Sequence, residues 1–210
     1  PSTRTVTPHG GAAPRFSPDP IAAGIPTQRE PILVDISTST TSNAFCQRVA
    51  AAGERLPGPW VADAAGQATD DPRVLFEGRG GSVLPLGGVD VGHKGFALAL
   101  IVEALTNALG GHGRADDVKR WGASVFLQII DPDRFGGRQA FLRETTFLAD
   151  ACTTAPVPAG KPAVRLPGQG ALSRKQRQLA AGVALHPTIL PALQPWAEKL
   201  GVGLPKSSPG

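Results

Sequence analysis

At 210 residues, 41% of them apolar and 18% charged, the chain has a folding composition and enough length to bury one core with or without an appendage. Its net charge of +4 is scattered except at Arg174-Lys175-Gln176-Arg177, aromatics are 5% and tyrosine is absent, which excludes the stacking platform of a single-strand nucleic-acid binder. No stretch reads as a signal peptide or a membrane span, and two distant cysteines, Cys46 and Cys152, fit a reduced cytoplasmic compartment better than a disulfide framework.

Pro8, Pro14, Pro18, Pro20 and Pro26 break any long helix in the first thirty residues and leave 21–25 as a short strand. Residues 31–36 (PILVDI) read as a buried strand with one acid near its end, Asp35. Such an acid either caps the next segment or touches a ligand, because ligands collect at strand ends in α/β sheets. The hydroxyl run 37–42 offers an N-cap for a helix over about 43–53. Connection follows: Leu56-Pro-Gly-Pro turns, 60–62 extends, Asp63-Ala-Ala-Gly turns, and Thr69-Asp-Asp-Pro stops the chain again.

Gly87, Gly88, Gly92 and Gly95 then form a loop ending at Lys94, which runs into fourteen almost wholly apolar residues, 96–109. That run is too long for an ordinary strand and too short to span a bilayer, so it predicts a buried helix, ended by the glycines of 110–113. A lysine at a helix N-terminus opposes the helix dipole. Its placement makes sense if an anion sits there, held by Lys94 and by free N–H groups of the glycine loop; a solvated lysine beside a turn is the plainer alternative. His93 adds a titratable donor to the same loop.

Beyond the helix, 123–130 (ASVFLQII) reads as the clearest strand in the chain. Helices follow near 139–152, around 172–181 after a Pro/Gly linker at 156–162, and over about 189–200. The class is α/β, a mixed sheet flanked by helices with a carboxy-terminal helical extension. There is no G-x-G-x-x-G, Walker loop or G-x-S-x-G elbow. His9, His93, His112 and His186 lack metal-ligand spacing, and nothing selects a Ser–His–Asp triad. The absence of any methionine and the abrupt opening PSTRTVTPHGG lead us to expect the later part of a longer protein.

Seven segments in order, PHGG, DPIAAGIPT, PILVDISTS, GERLPGPWVADAAGQATDDP, LPLGG, GHKGFALALIVEALTNAL and VRLPGQ, resemble the malate/L-lactate dehydrogenase family of the non-Rossmann type. That family includes ureidoglycolate and sulfolactate dehydrogenases and cyclic-imine 2-carboxylate reductases. The resemblance implies a non-Rossmann NAD(P)-binding fold and hydride transfer between nicotinamide and C2 of a small 2-hydroxy or 2-oxo acid, usually by a homodimer. It places cofactor contacts on Asp35, Ile36 and Ser37, in the position of a D-M-A segment, and on Lys94 of a K-G pair. NAD and NADP stay equally open. The expected division is a cofactor-binding domain over 1–155 and a segment over 156–210 that packs toward an amino-terminal half.

Departures from the family pattern matter as much. Relatives carry G-T-N-P where this chain has Ser17-Pro18-Asp19-Pro20, so the substrate-touching threonine hydroxyl is lost or must come from Ser17. Asn43, Ala44 and Phe45 stand where relatives place Arg, His or Trp, then Gly, then Lys or Asp; Asn43 becomes the candidate substrate contact. The charge-relay acid of the imine reductases has no counterpart, which favours the dehydrogenase branch. The family's Ser-His-Gly motif and nearby arginine, which supply the proton and grip the substrate carboxylate, are not in this chain, so no catalytic residue is assigned and His9-Gly10 is given no catalytic role. Two rival readings stand beside the enzyme: a non-catalytic nicotinamide-nucleotide-binding module, and a structural fragment in which the glycine loop only connects elements.

Overall fold

The structure is a computed structural model, and it describes residues 3–116 and 122–205. Strands β1 (Ile21–Ile25) and β2 (Ile32–Ile36) pair antiparallel, with Ile21 opposite Ile36 and Ala22 opposite Asp35. Helix α1 (Asn43–Ala51) starts where the hydroxyl run ends: Ser42 Oγ accepts from the Phe45 N–H at 3.2 Å. Strand β3 (Val61–Ala62) lies between β4 (Ala68–Thr69) and β5 (Ser82–Val83), antiparallel to both. Asp63 makes the β3–β4 turn, its Oδ1 accepting from the N–H groups of Ala65 and Gln67, both at 2.9 Å. Val6 extends this sheet, pairing parallel with Val83 and antiparallel with Phe16, so the pairing is mixed as the sequence suggests.

The core is small and sits here. Val6, Cys46, Val49, Leu56, Val61 and Val83 are buried together, with Phe16, Phe45, Trp60 and the 74–76 turn packed around them. Both β3 residues and both β5 residues are fully buried, which is why these two-residue strands hold. Gly81 fits between them closely: a Cβ there would stand 2.4 Å from the Val74 carbonyl oxygen and 2.7 Å from that of Ala62.

The glycine loop folds into a short helix, α2 (Gly88–Val91), and α3 (His93–Glu103) follows almost without a break. The helix therefore starts three residues before the predicted 96, and Lys94 is its second residue rather than the end of a loop. Its last turn, Ala104–Ala108, is π-helical, and Gly111 leaves it at φ +68°. The prediction of a buried helix needs correction. Gly95 and Ala99 are buried, but Leu100, Ile101, Leu105 and Leu109 are 41–69% exposed. A helix apolar all round needs cover all round, and these described residues cover one side.

The 123–130 strand is the second correction. The segment runs without helix or ladder assignment, and no backbone hydrogen bond joins it to another described residue. Val125, Leu127 and Ile129 are 78–87% exposed. Strand character requires a partner edge, and among the described residues none is offered. Helices α4 (Arg138–Thr153), α5 (Gln169–Ala181) and α6 (Ile189–Leu200) form close to where they are expected. Among the described residues after 121, Ala149 and Ala197 are the buried apolar ones. Docking onto the first half is polar: the Gln28 N–H donates to Thr146 Oγ1 at 2.9 Å, Thr145 Oγ1 to the Pro26 carbonyl at 2.7 Å, and the Leu33 N–H to the Pro167 carbonyl at 3.1 Å.

Gly81→Ala should destabilise the chain by about 2 kcal/mol or more, since its Cβ must push backbone rather than a side chain. Ser42→Ala, which loses one cap, should cost about 1 kcal/mol. Urea unfolding of both variants tests the order; a near-neutral Gly81→Ala would mean that the β3–β5 core is loosely packed.

Candidate functional site

A hydroxyl-rich segment follows β2, and its polar groups have to find partners because Thr38, Ser39 and Thr41 are buried. Thr38 donates through its N–H (2.8 Å) and its hydroxyl (2.9 Å) to the Pro18 carbonyl. The Thr40 N–H donates to the Leu84 carbonyl at 2.9 Å, and its hydroxyl reaches the Trp60 carbonyl at 2.8 Å. In return the Leu86 N–H donates to the Thr38 carbonyl at 2.8 Å. Ser39 Oγ closes the run onto the Thr41 carbonyl at 2.8 Å.

This pairing carries the predicted residues toward one another. Leu86 accepts from the Gly95 N–H at 3.1 Å, so the first turn of α3 is seated on the segment that Thr38 holds. Only glycine allows it: a Cβ at Gly95 would lie 2.4 Å from the Leu86 nitrogen. Lys94 thus stands two backbone hydrogen bonds from the end of β2, where Asp35 and Ile36 are exposed and Ser37 is half-buried. Lys94 is itself exposed and makes no ion pair among the described residues. The loop N–H groups are less free than the sequence suggests. Those of Gly88 and Gly95 donate to the Pro85 and Leu86 carbonyls, so the cradle has fewer N–H groups to offer an anion beside the lysine side chain. Asn43 is half-buried at the first position of α1, just after the hydroxyl run.

Two features escape a reading by motif. His9 packs against the α2–α3 junction, its ring centroid 5.8 Å from that of His93, so the PHGG turn and the Lys94 helix are neighbours. More consequential is a buried charge cluster. Asp19, in left-handed backbone at φ +39°, accepts from Ser17 Oγ and lies 3.7 Å from Arg114 Nη2. Arg114 also grips Glu103 through Nε at 2.7 Å and through Nη2, and Asn107 Nδ2 donates to Glu103 at 2.8 Å. Side-chain exposure is 7% for Asp19, 15% for Glu103 and 17% for Arg114. Burial pushes the Asp19 carboxyl up to about 6; the Ser17 hydrogen bond opposes the rise, nearby Glu103 adds to it, and Arg114 again opposes. Burial also raises Glu103, but the donors on Arg114 and Asn107 outweigh that and hold it below its ordinary value. A signal was present: Glu103 is the one charged residue in the apolar run 96–109, and a lone charge there must be paired.

Among the described residues no three His, Cys, Asp or Glu side chains converge as a metal would need, and no helix is long and apolar enough to cross a membrane. A cleft of about 510 Å³ opens between the β1–β2 connection, α4 and α5, lined in part by Arg29, Asp150, Leu166 and Gln176; Asp35, Ser37, Asn43 and Lys94 do not line it.

The family model for malate/L-lactate dehydrogenase matches residues 1–194. A Δ1-pyrroline-2-carboxylate/Δ1-piperideine-2-carboxylate reductase of Pseudomonas syringae is 33% identical over 202 residues, 92% of this chain and 55% of that protein. An L-sulfolactate dehydrogenase of Methanothermobacter thermautotrophicus is 28% identical over 95% of this chain and 57% of that protein. The crystal structure of malate dehydrogenase from Entamoeba histolytica superposes with a TM-score of 0.82 at 19% identity, covering 97% of this chain and 60% of that one. That last likeness carries the fold alone. The chain spans a little more than half the length of these relatives.

Arg114→Met should destabilise the fold by about 3 kcal/mol or more near neutral pH, because it leaves Glu103 and Asp19 buried without their cation. Lys94→Ala should stay within about 0.5 kcal/mol. Chemical denaturation at pH 7 decides; a loss under about 1 kcal/mol for Arg114→Met would show that the cluster is solvated.

Proposed function

Because the chain belongs to the malate/L-lactate dehydrogenase family, we propose that it is the cofactor-binding and carboxy-terminal portion of an NAD(P)-dependent oxidoreductase. Its reaction is hydride transfer between nicotinamide and C2 of a small 2-hydroxy or 2-oxo acid, malate- or L-lactate-like. An imino acid is the neighbouring substrate class, since a 33% identical relative is named as a cyclic-imine carboxylate reductase. The observation that supports the cofactor site is the Thr38–Leu86–Gly95 relay of hydrogen bonds, which joins the Asp35–Ile36–Ser37 end of β2 to Lys94.

The exposed residues suit the cofactor's chemistry. Lys94, cationic and with no ion-pair partner among the described residues, fits a nucleotide phosphate or ribose oxygen. Asp35 and Ser37 offer an acceptor and a hydroxyl to ribose, and Ile36 an apolar face to a ring. Bound nicotinamide supplies the hydride donor or acceptor. Asn43, beyond the hydroxyl run, is assigned to the substrate.

Transfer to or from a C–OH also needs a proton carrier, and the substrate carboxylate needs a cation. We assign both to polypeptide corresponding to the part of the relatives outside the match. The exposed 123–130 segment and the exposed apolar sides of α3 and α4 are where that part would pack, and residues 156–210 would return toward it. Homodimerisation and a cytoplasmic location belong to the same reading. A non-catalytic nucleotide-binding module is the second reading. It is favoured by Pro18, which brings no hydroxyl to the threonine position and whose carbonyl is taken up by Thr38.

Titrating the chain with NADH and with NADPH, by energy transfer from tryptophan to nicotinamide, should give saturable binding that Lys94→Ala weakens about tenfold or more. That factor corresponds to the loss of one charge-assisted hydrogen bond. Binding that ignores the substitution would remove Lys94 from the site, and a folded chain that binds neither nucleotide would overturn the cofactor assignment.

A further inference from the structure

The buried cluster holds two carboxyl groups, Asp19 and Glu103, and one guanidinium, Arg114. One cation cannot neutralise two buried anions, and among the described residues the groups around them add no second. The 17–20 segment contributes the Ser17 hydroxyl, the π turn contributes the neutral Asn107 amide, and Arg4 reaches the Arg114 carbonyl rather than either acid. The hydrogen bonds leave two atoms of the cluster unanswered among the described residues, Asp19 Oδ2 and Arg114 Nη1, both buried. The two carboxyls crowd one nitrogen: Arg114 Nη2 lies 3.7 Å from Asp19 Oδ1 and nearer still to Glu103 Oε1. With both ionised there is no hydrogen to place between them. One proton supplies it, and it belongs on Asp19, because Glu103 already accepts from Arg114 and Asn107.

We propose that Asp19 is a positioning residue: it carries the single proton of an Asp19–Glu103 carboxyl pair gripped by Arg114, and in that form latches the 17–20 segment to the far end of α3. The latch has a path to the other end of the helix. Residue 18 gives its carbonyl to Thr38, Thr38 gives its own to Leu86, and Leu86 seats Gly95 beside Lys94. Helix α3 is thus held at both ends by one segment, through Glu103 at its C-terminus and through the Thr38–Leu86 relay at its N-terminus. Ionisation of Asp19 puts two unshared negative charges at the C-terminal hold and loosens it. The left-handed backbone at Asp19, next to Pro20, is the kind of strain that such a fixed contact sustains.

The latch itself stands on the cluster; only its effect on Lys94 rests on the nucleotide-site reading. Asp19 binds its proton more tightly folded than unfolded, its value rising from 3.8 to about 6. Its stabilisation is therefore complete below about pH 4 and is lost as pH rises through 6. Unfolding the chain in urea at pH 5 and pH 8 should show the folding constant falling about tenfold more in the wild type than in Asp19→Asn, which keeps a donor at every pH. Glu103→Gln removes the like charge and should flatten the same slope, so the test survives if one variant fails to fold. Asp19→Ala should be less stable than Asp19→Asn at both pH values. Equal slopes in the wild type and the amide variants would overturn the latch. NADH and NADPH titrations at the same two pH values read the coupling. Affinity that weakens toward pH 8 in the wild type more than in Asp19→Asn supports it, and equal pH dependence in the two overturns it. If neither nucleotide binds at either pH, the cofactor reading fails while the unfolding slopes still judge the latch.

Discussion

Residues 37–41 are hydroxyl-rich and largely buried outside helix and strand, and the rest of the first half is arranged around satisfying them. The serine hydroxyls of this run satisfy part of it internally, and its remaining N–H, carbonyl and hydroxyl groups need partners from elsewhere in the chain. Those partners are Pro18, Trp60, Leu84 and Leu86, from three stretches distant in sequence. One short run thereby fixes where β2 ends, where the β3–β5 sheet lies and where α3 begins. The apolar core beneath, centred on Val61 and Val83, is modest; the polar pairing is what gives the small strands their order.

The distribution of apolar residues departs from that of a chain closed on itself. The buried cluster draws on residues between Val6 and Val83, while α3, the 123–130 segment and α4 carry large exposed side chains such as Ile101, Val125, Ile129 and Phe147. A central strand reads as a nearly continuous apolar run because both of its faces are covered. Residues 123–130 have that composition, and no described residue offers an edge or a face to meet it. Composition and environment therefore disagree: an apolar pattern suited to cover on both faces lies exposed.

What could be read from sequence divides along this line. Local rules sufficed where the partner is local: Ser42 caps α1, Asp63 makes its turn, β1 and β2 lie within a residue of expectation, and the last helix spans Ile189–Leu200. Helix α6 forms even with Pro195 inside it, which periodicity alone does not anticipate. The reading failed where the outcome depends on distant chain. The 123–130 pattern is a strand pattern, but pairing is a property of two segments. The start of α3 was displaced because Gly88–Val91 became helical, giving the glycines a role in helix entry rather than in an open cradle. Of the candidate residues, Lys94 and the Asp35–Ser37 end of β2 were singled out from sequence, and the hydrogen-bond relay linking them was not.

The charge cluster shows why such sites hide. Asp19, Glu103 and Arg114 are 11 to 95 positions apart, and no one motif unites them. Their burial becomes intelligible only when the 17–20 segment, α3 and the 113–116 stretch are in place together. Yet a burial rule reaches part of the way. A single acid inside fourteen apolar residues has to be solvated, paired or protonated, and the helix carrying it is too apolar to face water on that side. Glu103 took the second course, and burial pushes Asp19, the acid left over, toward the third. In a chain with so small a core, a charge that must be answered on three separate elements orders more structure than a comparable apolar contact, because an apolar residue accepts any cover whereas Glu103 accepts only a donor.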